Sequence, residues 1–128
     1  MMNYPNTDTA KKILIADDDR VNQQLISFQL AGLQHNLLFA SDGQEALELF
    51  AENRDVELVL MDVKMPGMNG LEATRKILEL EPKAKIIALS AFTREENDFD
   101  AAEVGFIDYV SKPIRKEELL KVVAQYLD

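Results

Sequence analysis

No cysteine occurs among the 128 residues, so a disulfide framework and a thiolate metal site are both excluded, and a reducing, cytoplasmic setting is the expectation. Basic residues are in deficit: 14 Lys and Arg face 23 Asp and Glu, a net charge of -9 with a pI near 4.6. That balance argues against nucleic-acid phosphates or anionic lipid as partners. No apolar run approaches the ~20 residues of a membrane span. The opening "MMNYPNTDTA" also lacks the apolar core of a signal peptide, and residues 1–10 read as a disordered polar tail. Histidine occurs once, at His35 in a loop after the first helical pattern, where a solvated bystander is expected rather than a ligand.

What remains is ordinary for one globular domain, expected over residues 11–128, with 47% hydrophobic and 29% charged residues. A chain of this length buries roughly two-thirds of its unfolded surface, enough for a core without staples. Five short apolar runs stand out: "ILIA" (13–16), "LLFA" (37–40), "VELVLM" (56–61), "KIIALS" (85–90) and "FIDYVS" (106–111). Consecutive aliphatic positions are the pattern of strands buried on both faces. Between them, helical spacing links Val21, Leu25, Phe28 and Leu33, then Ala46, Leu49 and Phe50. The same spacing links Leu71, Thr74, Ile77 and Leu78, and closes the chain at Leu119, Val122, Val123 and Tyr126. Asp42-x-x-Glu45, Asn69-x-x-Glu72 and Thr93-x-x-Glu96 read as helix caps. A fourth helix over about 94–104 is weakly specified: Asn97, Asp98 and Asp100 are poor helix formers, and only Phe99, Ala102 and Val104 anchor it.

Alternating strands and helices imply right-handed crossovers and a doubly wound five-stranded parallel α/β sheet, and the flavodoxin-like order 2-1-3-4-5 is the expectation, with strands one and three side by side. Such sheets bind ligands beyond the carboxyl ends of their strands, where strand order reverses. The chemically loaded residues fall at those ends: Asp17 and Asp18 after the first strand, Asp62 after the third, Ser90 on the fourth, Lys112 after the fifth. Carboxylates gathered in one pocket repel unless a hard cation neutralises them. Oxygen donors with no His or Cys nearby favour Mg²⁺ or Mn²⁺. A carboxylate beside such an ion can attack phosphorus, and an ammonium such as Lys112 would neutralise the transferred group. Asp19, the third of the "DDD" run, is assigned instead to capping the first helix.

The pieces "ILIADDD", "LVLMDVKMPGMNGLE", "IIALSA" and "GFIDYVSKPI", in this order over residues 12–127, make the chain resemble the receiver domains of two-component response regulators. The resemblance implies a non-enzymatic phosphoacceptor: Asp62 takes a phosphoryl group from a partner's phosphohistidine, while Asp17, Asp18 and Asp62 hold Mg²⁺ with the backbone carbonyl of Lys64. It makes Ser90 and Tyr109 the switch pair, Lys112 the phosphate-pairing lysine, and Lys112-Pro113 a cis bond. Lys64 and Phe92 would overhang the phosphoryl group, and Arg115 stands where a small capping residue often begins the last helix. The implied partners are a histidine kinase or histidine phosphotransfer protein upstream and a protein met by the face of helix 4, strand 5 and helix 5 downstream. No small-molecule substrate beyond phosphodonors is implied. With no residues after Asp128 for an output domain, a stand-alone receiver or one excised from a hybrid kinase is expected. Two other classes are weaker. "ADDDRV" also resembles the nucleophile motif of a Mg²⁺-dependent phosphohydrolase, with Asp17 attacked and Asp19 as acid/base, but Asp62 would go unexplained. A flavin carrier would need a Ser/Thr/Gly-rich phosphate loop where this chain has acids.

Overall fold

The computed structural model describes residues 10–65, 67–90 and 101–127, the last segment with side chains from Glu103 onward. Its strands are β1 (Lys12–Ala16), β2 (Asn36–Ala40), β3 (Val56–Asp62), β4 (Ile86–Ser90) and β5 (Asp108–Ser111). Its helices are α1 (Arg20–Leu30), α2 (Gly43–Glu52), α3 (Gly70–Leu80), α4 (Ala101–Val104) and α5 (Lys116–Leu127). The strands pair in parallel in the expected order β2-β1-β3-β4-β5. Residues 94–100 of the expected fourth helix, its Thr93-x-x-Glu96 cap and Phe92 lie outside the described residues. The last strand begins at Asp108 rather than 106, with Ile107 N donating to the Ile86 carbonyl just ahead of it.

Successive strand side chains point to opposite faces, so an unbroken apolar strand needs cover on both. Leu14, Ala16, Val59, Met61, Ile86 and Ala88 pack under Ala46 and Phe50 of α2 and Ala73 and Ile77 of α3. The alternate residues Ile13, Ile15, Leu58, Leu60, Ile87 and Leu89 pack under Ile26 and Leu30 of α1 and Leu119 and Val123 of α5.

Local signals explain the helix starts. Asp19 Oδ1 accepts from Val21 N at 2.8 Å, Asp42 Oδ1 from Glu45 N at 2.7 Å, and Asn69 Oδ1 from Glu72 N at 2.9 Å. Glu45 Oε1 accepts in return from Ser41 N at 2.7 Å, one residue ahead of the cap. At α5, Arg115 supplies the first accepting carbonyl to Leu119 N, and Glu117 and Glu118 place negative charge in the first turn.

The buried face of α1 differs from the expected one. Val21 and Phe28 are 70% and 79% exposed, and the helix buries Ile26, Gln29 and Leu30. Two apolar stripes run along α1, and packing against α5, beyond the reach of local periodicity, selects the second. His35, expected in solvent, is half-buried, and its Nδ1 accepts from Lys11 N at 3.0 Å, joining the starts of β1 and β2.

Candidate functional site

Sheet register brings the loaded residues level. Ala16 sits opposite Met61, Asp62 opposite Leu89 and Ser90 opposite Ser111, so the residues ending or following β1, β3, β4 and β5 share one rim. The β3–α3 loop folds back closely there. Gly70 N donates to the Val63 carbonyl at 3.1 Å, and a Cβ at Gly70 would overlap the carbonyl of Asp62. Gly43 of α2 grips the same loop by donating to the Met68 carbonyl at 3.1 Å. Glycine at both positions lets two helix starts press against the segment that presents Asp62.

The rim encloses a cleft of about 240 Å³ lined by Asp18, Asn22, Asp62, Lys64, Ser90 and Lys112 among others. Asp17, Asp18 and Asp62 each offer one carboxylate oxygen, all within 4.8 Å of one another. Asp17 is fully buried and Asp62 is 4% exposed, whereas Asp18 stands at the solvent edge. Asp17 Oδ1 accepts from Asp19 N at 2.8 Å, and Gln23 of α1 donates to the Asp17 carbonyl at 2.6 Å. Asp62 Oδ1 accepts from Lys64 N at 3.2 Å.

Lys112 spans the cleft, its Nζ 3.0 Å from Asp62 Oδ2 and 3.1 Å from Asp17 Oδ2. The first contact is a directed hydrogen bond; the second is off-axis, so Asp17 Oδ2 has a countercharge but no directed donor. Burial pushes the Asp62 carboxyl up to about 6, the nearby Asp17 charge adds to that, and Lys112 pulls the other way. For Lys112, burial favours the neutral amine, but Asp62 and then Asp17 outweigh it and hold the ammonium above its usual range. With all three acids ionised, one ammonium against three carboxylates leaves the cleft two negative charges in excess.

That excess, an all-oxygen donor set and a buried carboxylate oxygen without a directed donor fit one hard divalent cation. The acidic triad is a Mg²⁺ site of the ordinary kind, and Mn²⁺ has the same donor preference.

Asp17, Asp18, Asp62, Ser90 and Lys112 thus converge as the sequence suggests, and Lys64 lies at the rim. Tyr109 stands apart, half-buried in β5 opposite Ala88 and packed on the core under α2 and α3. Asp19 caps α1 through Oδ1 and stands exposed at the edge of the same cleft. The Lys112-Pro113 bond is cis. Gln23 went unnoticed in the sequence, where its only signal is a polar residue one helical turn past the acidic run.

A parallel sheet whose switch point holds a cation-ready acidic triad and a half-buried lysine defines a phosphoacceptor module of the flavodoxin-like class. Residues 13–124 match the response regulator receiver domain family, and the chain belongs to it. Membership makes it a signalling module of two-component phosphorelays rather than an enzyme. Among curated relatives, the osmosensing histidine protein kinase SLN1 of Saccharomyces cerevisiae is 34% identical over 93% of this chain, which spans only 10% of that protein's length. The receiver domain of sensor histidine kinase PA1611 from Pseudomonas aeruginosa, solved with magnesium in its active-site cleft, superposes with a TM-score of 0.84 at 30% identity, covering 92% of this chain and 98% of that one. The receiver of Ssk1 from S. cerevisiae, solved with the histidine phosphotransfer protein Ypd1, gives 0.84 at 26% identity, covering 91% and 88%.

Proposed function

We propose that Asp62 is the phosphoacceptor and that the phosphoryl group comes from the phosphohistidine of a separate protein. The observation that carries this reading is the placement of Asp62: buried, at the end of β3, hydrogen-bonded to Lys112 and level with Asp17 and Asp18. A carboxylate oxygen of Asp62 attacks phosphorus, the new O–P bond forms as the P–N bond to the donor imidazole breaks, and the bond pair leaves with the imidazole nitrogen. A bound Mg²⁺, held by Asp17, Asp18, Asp62 and the carbonyl of Lys64, supplies charge neutralisation and a template for phosphoryl oxygens. Lys112 keeps its ammonium at the Asp62 oxygen and pairs with the incoming group, and Ser90, buried at the strand end, donates its hydroxyl.

The added charge draws Ser90 toward the phosphoryl group, and Tyr109 follows, changing the face that α4, β5 and α5 present to a downstream protein. The donor meets the other side of the cleft. Asn22 of α1 lines the cleft mouth, and exposed Val21, Leu25 and Phe28 continue from it along one stripe of that helix. Such a stripe suits the apolar face of a helical phosphodonor. The co-crystal of the Ssk1 receiver with Ypd1 supports a histidine phosphotransfer protein or the kinase itself in that role.

The test is transfer from a phosphorylated histidine phosphotransfer protein with Mg²⁺ present. Label moving to the wild-type chain but not to Asp62→Asn is the expected result. Equal labelling of both chains would overturn the assignment.

A further inference from the structure

Gln29 lies on the buried face of α1, 8% exposed, in a stripe otherwise filled by Ile26 and Leu30 against Leu119 and Val123 of α5. An amide at such a place must be hydrogen-bonded or destabilising. Its Nε2 donates to the Ile114 carbonyl at 3.1 Å across 85 residues of chain, while its Oε1 has no partner. A leucine or methionine would fill the same volume without stranding an oxygen. The single bond that Gln29 does make therefore explains its presence better than packing does.

That bond falls two residues after Lys112. On the other side, Lys112 N donates to the Ser90 carbonyl at 2.7 Å. The segment 112–114 is thus pinned at both ends, once to β4 and once to α1, and from it the lysine reaches Asp62 and Asp17. We infer that Gln29 is a positioning residue for Lys112, acting through the Ile114 carbonyl. This rests on the phosphoacceptor reading, in which the placement of that ammonium against Asp62 matters. It also links α1, the helix at the cleft mouth, to the group that pairs with the phosphoryl.

Lys112 and a divalent cation share the Asp17 and Asp62 carboxylates and repel each other there, so Mg²⁺ affinity reports how firmly the ammonium is held. The test is a double-mutant cycle of Gln29→Met and Lys112→Met, with Mg²⁺ affinity read by calorimetry on the 128-residue chain. Gln29→Met is expected to tighten Mg²⁺ binding about threefold when Lys112 is present and to leave it unchanged beside Lys112→Met. Melting temperature serves as the second readout. Ile26→Val, which loosens the same stripe and keeps the Gln29–Ile114 hydrogen bond, is expected to melt lower with wild-type Mg²⁺ affinity. A Mg²⁺ response to Gln29→Met that is absent, or equal in both Lys112 backgrounds, overturns the inference. Failure of the wild-type chain to accept phosphate would instead strike the underlying reading, because the Mg²⁺ cycle needs no phosphorylation.

Discussion

At the scale of single residues, the cleft is a contest between burial and countercharge at Asp62. Its carboxyl titrates near 6 in the folded chain against 3.8 when unperturbed, so between those values the folded state holds a proton that the unfolded chain has lost. Stability is therefore fully present below about 4 and falls as pH rises through about 6. The ionised form is disfavoured by on the order of 2–3 kcal/mol. Asp62→Asn removes that charge and leaves Lys112 its Asp17 partner. In chelator-treated protein, urea denaturation should find the variant more stable than wild type by about 1–3 kcal/mol at pH 8 and equal to it near pH 4. Saturating Mg²⁺ should close the gap at pH 8, since the cation supplies the missing countercharge. A variant that is less stable at pH 8 would show that Lys112 fully compensates the burial of Asp62.

At the scale of elements, the loop after β3 and the helix α1 carry the site. Gly70 starts α3 where a methyl group would overlap the Asp62 carbonyl. Gly70→Ala should lower stability by about 1–3 kcal/mol and weaken Mg²⁺ binding at the same time, measured by thermal melting and calorimetry. A loss of stability with unchanged Mg²⁺ affinity would mean that the loop relaxes away from Asp62. For α1, replacing exposed Val21 and Phe28 by serine should leave melting within a degree or two. The same variant should slow transfer from a histidine phosphotransfer protein roughly tenfold and leave labelling by acetyl phosphate unchanged. Strands, helix order and three caps were legible in the sequence because they rest on nearest neighbours: apolar runs, Asp19, Asp42, Asn69. The buried face of α1 was not, since Val21-Leu25-Phe28 and Ile26-Leu30 share one period and only α5 decides between them. The Gln29–Ile114 bond was hidden for the same reason, its partners lying 85 residues apart.

At the scale of the molecule, the parallel sheet turns sequence separation into proximity. Asp17, Asp62 and Lys112 are spread over most of the chain, yet they meet because every strand ends at the same edge. Their convergence was legible once the strand ends were counted, whereas the bridging posture of Lys112 was not, because it depends on side-chain reach within the cleft. The family match gives that convergence its meaning, a receiver in a phosphorelay. The central claim is that the excess negative charge in the cleft admits Mg²⁺ and thereby lets Asp62 accept phosphorus. The most direct measurement is incubation with acetyl phosphate and Mg²⁺, followed by borohydride trapping and mass mapping of the modified residue. The account predicts modification at Asp62 alone, abolished by chelator; modification at Asp17, or labelling of Asp62 that persists without divalent cation, would contradict it.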